Sequence, residues 1–450
     1  MNCVVIKGPS IQEAYAQIQQ ALSFAKLVEL RLDLFHSLDL SRLRQSFTIP
    51  MIFTIKNKEH IQELLQFKPE YIDLDRDIAR EIPETKLIIS YHNYEDTPHD
   101  LSKIYQCMRK IPAFYYKIAV TAKNSVDALR LCYLKKSDLI AISMGDYGQL
   151  SRYLSPINYL ALDENQKTAP GQFTLQNYVN SHKDLYGLIG NPVDQSISDK
   201  THNGLIPGIY VKMAVKPTEL SQFLNYAKQL NFRGLSVTMP LKEVILPLLD
   251  EVDPDLPSVN TLVFKEGRIY GYNTDGKGAL KAIGIPVSNK HIILIGAGGA
   301  AKAIALEAKR QQAHVTMLKR KDSFPKEPYD ILINCTPSES PISPEFIMPD
   351  SIVMDIKTKP QETEFLRQAK IKGCKIIYGY QMFIEQALGQ FQLWFPKMDM
   401  GKTRTSLEKK VIESLQGINY EKKSPYEFPK GQLSFSRNSS TQTSIYCRKS

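Results

Sequence analysis

"AFYYKIAV", residues 113–120, is a run of aromatic, β-branched and small apolar residues interrupted once, by Lys117. Such a run reads as a β-strand, and a lysine near the end of one ordinarily snorkels its ammonium into solvent. Upstream, "KLIISYH" (86–92) is a second apolar strand pattern that runs straight into His92. Two successive strands ending in ionisable residues suggest a shared surface. Extending the reading outward, residues 2–162 contain eight strand candidates: "CVVIK", "LVELRLD", "MIFTIK", "YIDLD", "KLIISYH", "AFYYKIAV", "DLIAISM" and "INYLAL". Segments with helical apolar spacing, such as "IQEAYAQIQQALSFA", separate them. This rhythm implies α/β architecture with a parallel sheet, and eight repeats predict an N-terminal (β/α)8 barrel. Against a typical size of ~250 residues, its helices must be short and its loops tight.

In such a barrel the C-terminal strand ends converge on one mouth, where catalytic residues sit. Glu29, Arg31, Lys56, His92, Lys117 and Met144 all fall at or near those ends. Lys117 is therefore expected in a partly desolvated mouth near other cations. Both conditions depress a lysine pKa and leave a neutral amine able to attack a ketone and form a Schiff base. His92, with an ordinary pKa near 6.5, is suited to shuttle a proton at the adjacent carbon.

Composition narrows the class. The 450 residues, 43% hydrophobic, suggest two or three packed domains. Six cysteines, at 3, 107, 132, 335, 374 and 447, form no CxxC pair and no zinc spacing, which suits a reducing compartment and no metal. The N-terminus "MNCVVIKGPS" enters a strand pattern at once, and no apolar run approaches the ~18 residues of a membrane helix. A cytoplasmic protein without membrane association is expected. The net charge of +10 does not indicate nucleic-acid binding, because +6 of it lies in residues 401–450. That polar, aperiodic end (420–450) reads as a basic, disordered tail. "GKT" at 401–403 is no phosphate loop, since Pro396 stands where its first glycine belongs.

After the polar bridge "TLQNYVNSHKD" the character changes. In "NPVDQSISDK", Ser196 and Ser198 stand at alternate positions where two hydroxyls can meet one anion. Lys242 in "GLSVTMPLKE", Asn260 in "SVNTLV" and Asp275 in "GYNTDGKG" are polar islands beside strands or turns. "HIILIGAGGAAKAIALEA" (291–308) is an apolar strand, a turn through Gly296, Ala297, Gly298 and Gly299, and an immediate helix. That order is the context for a dinucleotide pyrophosphate at a helix N-terminus. NAD-binding folds place an acidic residue at the end of the next strand for the ribose; here "HVTMLKRK" ends in Lys319, Arg320 and Lys321. Three cations fit a 2′-phosphate, hence NADP.

The motifs "ELRLD" (29–33), "SYHNYEDTP" (90–98), "FYYKIAV" (114–120), "ISMGDYGQLSR" (142–152) and "TAPGQ" (168–172) make residues 1–175 resemble type I 3-dehydroquinate dehydratases. The resemblance implies that Lys117 forms the imine and His92 moves protons, while Glu29, Arg31, Lys56, Arg152, Thr168 and Gln172 bind substrate. Lys56 stands where that family has Arg, and its "EGG" is reduced to "KEH" with Glu59 and His60. Lysine keeps the charge and loses the bidentate fork. Residues 185–415, including "DIKTKPQETEFL" and "GYQMFIEQALGQFQLWF", resemble shikimate dehydrogenases. That resemblance implies a Lys242–Asp275 catalytic dyad, a carboxylate site at Ser196 and Ser198, and ring-hydroxyl contacts from Thr238, Asn260 and Gln386. Gly379 is implied to approach the nicotinamide. Ser236 and Thr358 replace that family's Asn and Tyr.

The expected organisation is a barrel over 1–180, a substrate-binding domain over 183–285 completed by helices in 380–415, and a Rossmann-type NADP domain over 286–379. The implied function is bifunctional: 3-dehydroquinate is dehydrated to 3-dehydroshikimate, which NADPH then reduces to shikimate. A Schiff-base aldolase fused to a quinate or shikimate oxidoreductase, and a metabolite sensor with inactive sites, are the rival readings. His92 and Lys117 within their motifs disfavour the first, and the presence of all four catalytic residues disfavours the second. Oligomeric state stays open.

Overall fold

A computed structural model of the chain describes residues 1–134, 136–175, 178 and 184–417; the tail at 420–450 lies outside them. The first unit is built on Asn2–Ile6 (β1), Leu27–Arg31 (β2), Met51–Ile55 (β3), Tyr71–Asp75 (β4), Lys86–Asn93 (β5), Tyr115–Thr121 (β6), Leu139–Met144 (β7) and Asn158–Ala161 (β8). Each overlaps one of the eight strand candidates. They follow the order β7-β6-β5-β4-β3-β2-β1-β8, and every ladder is parallel. The expected closure is incomplete in hydrogen bonding: no ladder joins β7 to β8 among the described residues, and β8 pairs instead with a short extra strand, Phe173–Thr174 (β9).

Period-2 alternation determines which side chains enter this barrel. Cys3, Val5, Leu27, Ile52, Tyr71, Ile88, Ala119, Ile140, Ile142, Met144 and Tyr159 form one buried cluster inside. The intervening residues, such as Val4, Val28, Phe53, Ile72, Ile89, Ile118 and Val120, pack outward against the helices. Lys117 lies between Tyr115 and Ala119 and so shares the inward face. The same parity turns Glu29, Thr54, Asp73, Ser90 and His92 inward.

A second sheet comprises Leu185–Gly190 (β10), Ile209–Ala214 (β11), Phe232–Val237 (β12), Glu251–Val252 (β13), Thr261–Lys265 (β14) and Arg268–Tyr272 (β15), ordered β11-β10-β12-β14-β15-β13. A third, all-parallel sheet comprises His291–Ile295 (β16), His314–Leu318 (β17), Ile331–Asn334 (β18), Ile352–Asp355 (β19) and Lys375–Ile377 (β20), ordered β17-β16-β18-β19-β20. The late helices Gly379–Trp394 and Met400–Leu415 return to the second sheet, burying Leu388, Phe391, Leu407 and Val411 with Tyr186 and Tyr210.

The barrel and the second sheet share a hydrophobic core. Val126, Leu129 and Cys132 of helix Ser125–Cys132, with Leu150, join one buried cluster with Val211, Leu224 and Val237. At its edge the Ser125 hydroxyl donates to the Ala214 carbonyl over 2.8 Å. No helix among the described residues is long and apolar enough to cross a membrane.

Candidate active sites

At the barrel mouth, Lys117 is buried and its Nζ is ion-paired with Asp73, while Glu29 Oε1 stands 3.8 Å away. Glu29 is itself held by the Thr54 hydroxyl, which donates to Oε1 over 2.6 Å. The Tyr159 ring lies under the ammonium, 5.2 Å from its centroid, as a cation–π partner. These neighbours correct the expectation of a lysine depressed by nearby cations. Burial alone pushes Lys117 down, but Asp73 and Glu29 outweigh it and hold its pKa above the ordinary value. The resting site therefore stores an ammonium compensated by carboxylates, as a buried charge requires.

His92 lies on β5 next to β6, with Ala119 opposite it in register. Burial, then the charge of Lys117, drives its pKa down to about 4, against the opposing pull of Asp73 and Asp75. Its imidazole is neutral at physiological pH and free to accept a proton. Asp75 Oδ2 is 3.6 Å from His92 Nδ1, and the Tyr94 ring stacks on the imidazole at 6.0 Å. Asp73, Thr54 and Tyr159 were not singled out in the sequence. Their signal was parity: Tyr71, Asp73 and Asp75 alternate onto the inward face that Glu29 and Lys117 occupy.

The remaining barrel candidates differ in commitment. Arg152 is buried, donates from Nη2 to the Pro170 carbonyl over 3.1 Å, and has no partner for Nε among the described residues. Burial pulls its pKa down to about 10. Among the described residues no carboxylate is ion-paired with this buried guanidinium. Thr168 and Gln172 are joined to each other, the Thr168 amide donating to Gln172 Oε1 over 2.8 Å. Arg31 is taken up by Asp33, which it contacts bidentately at 2.8 and 2.7 Å. Lys56 and Glu59 are exposed, and Glu59 accepts from the Asn57 amide over 2.9 Å.

The second site is a cleft of about 340 Å³ between the second and third sheets, lined by Ser196, Ser198, Thr238, Lys242, Asn260, Asp275, Thr358, Gly379 and Gln386. Lys242 comes from the short helix Leu241–Val244, and Asp275 is the first residue of helix Asp275–Ile283, where the helix dipole favours a carboxylate. Lys242 Nζ donates to Asp275 Oδ2 over 2.5 Å, and Asn260 Nδ2 donates to Oδ1 over 2.8 Å. The amide of Asn260 also reaches Gln386 Oε1 at 3.5 Å. Ser196 and Ser198 meet at 2.8 Å between hydroxyl oxygens. Ser236 is bonded to Tyr210 and Gln390, and Thr358 lines the cleft.

Beside this cleft the glycine turn leads into helix Gly299–Arg310. Gly296 adopts φ +110°, and a side chain there would meet Thr336 at 3.0 Å. Nothing lies within 4 Å of where a Cβ on Gly298 would stand, so the backbone there is open to a pyrophosphate. The Gly296 amide donates to the Leu318 carbonyl over 2.8 Å, which ties the turn to the end of β17. Lys319, Arg320 and Lys321 follow, exposed and without an ion pair among the described residues. Gly379 opens helix Gly379–Trp394, where a Cβ would stand 2.0 Å from the Lys357 carbonyl oxygen. The residues present fit an NADP molecule.

Comparison with known proteins agrees with this two-site layout. The family model described as type I 3-dehydroquinase matches residues 2–186, and the shikimate dehydrogenase substrate binding domain matches residues 188–262. A shikimate biosynthesis protein AroDE of Chlamydia pneumoniae is 38% identical over 462 residues, covering 88% of this chain and 95% of that protein. The chloroplastic bifunctional 3-dehydroquinate dehydratase/shikimate dehydrogenase of Arabidopsis thaliana is 28% identical, covering 87% of this chain and 81% of that one. The shikimate dehydrogenase (NADP(+)) of Pyrococcus furiosus is 39% identical over 250 residues, 48% of this chain and 92% of that one. With a buried lysine–carboxylate site in a barrel and a lysine–aspartate cleft beside a dinucleotide turn, joined in one polypeptide, this chain belongs to the AroDE family of shikimate biosynthesis proteins.

Proposed function

We infer that the chain performs two consecutive reactions at two sites: a lyase step that dehydrates 3-dehydroquinate to 3-dehydroshikimate, and an oxidoreductase step that reduces 3-dehydroshikimate to shikimate with NADPH. The observation that carries the first is the enclosure of Lys117 by Asp73 and Glu29 beside a neutral His92. On entry of the ketone, the ammonium passes its proton to a neighbouring base and the amine adds to the carbonyl carbon. Loss of water gives the imine, whose cationic nitrogen acidifies the adjacent C–H. His92 takes that proton and returns it to the β-hydroxyl, which leaves as water, and hydrolysis of the imine restores Lys117. Arg152, the buried cation without a carboxylate, receives the substrate carboxylate, and Glu29, Arg31, Lys56, Thr168 and Gln172 border the ring.

In the cleft, Ser196 and Ser198 hold the carboxylate, while Thr238, Asn260 and Gln386 face the ring hydroxyls. NADPH supplies the hydride. Lys242 donates the proton to the developing alkoxide, and Asp275, pinned by Asn260, holds Lys242 in place. Gly296, Ala297, Gly298 and Gly299 cradle the pyrophosphate, Lys319, Arg320 and Lys321 take the 2′-phosphate, and Gly379 leaves room for the nicotinamide. We assign the dehydratase to residues 1–180. The dehydrogenase comprises 183–285 with 380–415 and the NADP unit 286–379, and we place the protein in the cytoplasm.

A coupled assay tests the reading. Given 3-dehydroquinate and NADPH alone, the full chain should consume NADPH, and borohydride added with substrate should attach mass to the Lys117 peptide. Nicotinamide oxidation with 3-dehydroshikimate but not with 3-dehydroquinate would overturn the dehydratase assignment.

A further inference from the structure

Along the wall of the dehydrogenase cleft runs a hydrogen-bonded chain of buried groups that ends at Asn260, and the reaction outlined above gives its other members, Tyr210, Ser236, Gln390 and Thr261, no role. The Tyr210 hydroxyl donates to Ser236 Oγ over 2.8 Å, and Ser236 donates to Gln390 Oε1 over 2.9 Å. Gln390 Nε2 donates to the Asn260 carbonyl over 3.1 Å and to Thr261 Oγ1 over 3.0 Å. Thr261 donates to Asn260 Oδ1 over 2.7 Å. Gln390 is 1% exposed, and Tyr210, Ser236, Asn260 and Thr261 are all buried.

Two backbone groups that cannot change role determine the proton direction throughout. The Thr274 amide can only donate, and it meets Asn260 Oδ1 at 2.9 Å, so Asn260 turns its nitrogen to Asp275. The Asn260 carbonyl can only accept, so Gln390 turns its nitrogen there and its oxygen to Ser236. Ser236 must then spend its single proton on Gln390, and Tyr210 must spend its own on Ser236. The Gln390 carboxamide reaches Ser236 from helix Gly379–Trp394.

We infer that Gln390 is a positioning residue of the dehydrogenase: it carries the direction imposed by the Asn260 carbonyl to Ser236 and Tyr210, committing the Tyr210 proton, and through Thr261 it adds a second donor to the Asn260 Oδ1 that the Thr274 amide already holds. This rests on the dehydrogenase reading of the cleft. The relay withholds Tyr210 as a donor, so the substrate carboxylate is met by Ser196 and Ser198. It also supports Asn260 from the side opposite Asp275.

Gln390→Met keeps the shape and removes both polar roles. It should lower kcat/KM for 3-dehydroshikimate about tenfold, the cost of one to two buried hydrogen bonds, with KM for NADPH unchanged. The deciding measurement is a double-mutant cycle between Tyr210→Phe and Gln390→Met, which flank Ser236 without bonding to each other. A relay predicts that the double variant retains at least about fivefold more activity than the product of the single losses. If the losses simply multiply, or KM for NADPH rises in parallel, the relay is refuted. Should Gln390→Met fail to fold, the cycle of Tyr210→Phe with Thr261→Val asks the same question at the far ends, with the same two outcomes. Absence of dehydrogenase activity in the unaltered chain would instead overturn the function assignment, independently of the relay.

Discussion

The two sites each join a lysine to a carboxylate, yet they do so in opposite settings. Lys117 is enclosed in a barrel interior with two carboxylates around it, its side chain 7% exposed, whereas Lys242 meets a single aspartate at a cleft wall with 18% of its side chain exposed. In the mechanism we propose, the first lysine gives up its proton to become a nucleophile. The second delivers a proton to an oxygen. Enclosure among carboxylates stabilises the resting charge of the barrel lysine. The other lysine stands where the cleft leaves part of its side chain open to solvent.

Lys117→Ala breaks the comparison most sharply. Dehydration should fall by more than about a thousandfold, since the covalent route is lost, while reduction of 3-dehydroshikimate stays near normal because Lys242 lies in a separate unit. Separate assays of the two half-reactions measure this, and a parallel loss of reduction would show that the two sites are not independent. Arg320→Ala sharpens the cofactor side. With charge-assisted contacts worth roughly 1.5–3 kcal/mol each, it should erase a preference for NADPH of about tenfold to several hundredfold in kcat/KM, chiefly through KM, with NADH kinetics barely changed.

A smaller effect concerns pH. Because burial and Lys117 lower the His92 pKa to about 4, His92 stays neutral as pH falls from 8 to 5.5 and protonates only below that. The kcat/KM of dehydration should therefore hold its value at pH 5.5, where an ordinary histidine near 6.5 would already cost about tenfold. A limb near pH 6.5 that disappears in His92→Ala would contradict this. Smallest is Ser125→Ala, which removes the 2.8 Å bond to Ala214. It should cost about 1 kcal/mol in denaturant unfolding and leave both activities intact.

Much of this was legible in the sequence because apolar runs carry strands and local motifs carry turns. All eight barrel strands and the strand–turn–helix at 291–308 are of that kind. Charge environment is not local. Lys117 was read as a lysine among cations because Arg31 and Lys56 are near it along neighbouring strand ends. In the fold, Arg31 is occupied by Asp33, Lys56 is exposed, and Asp73 reaches the amine from β4. Gln390 is illegible in the sequence for a similar reason: its partners lie more than 100 residues away at Ser236, Asn260 and Thr261, and nothing in "QALGQF" announces them. Incomplete barrel closure depends on the pairing of β8 with β9, a two-residue strand too short to show a period.

The cluster that joins helix Ser125–Cys132 and Leu150 to the second sheet has a consequence for how this polypeptide can be divided. Val126, Leu129 and Cys132 are outer residues of a barrel helix, yet they are dehydrogenase core in the packed chain. Severing the chain between the units would leave each half with a newly wetted apolar face, a sticky surface prone to self-association. Dividing the polypeptide by a single cut is therefore disfavoured: two freestanding enzymes would each need several compensating polar substitutions at that face before either could live apart.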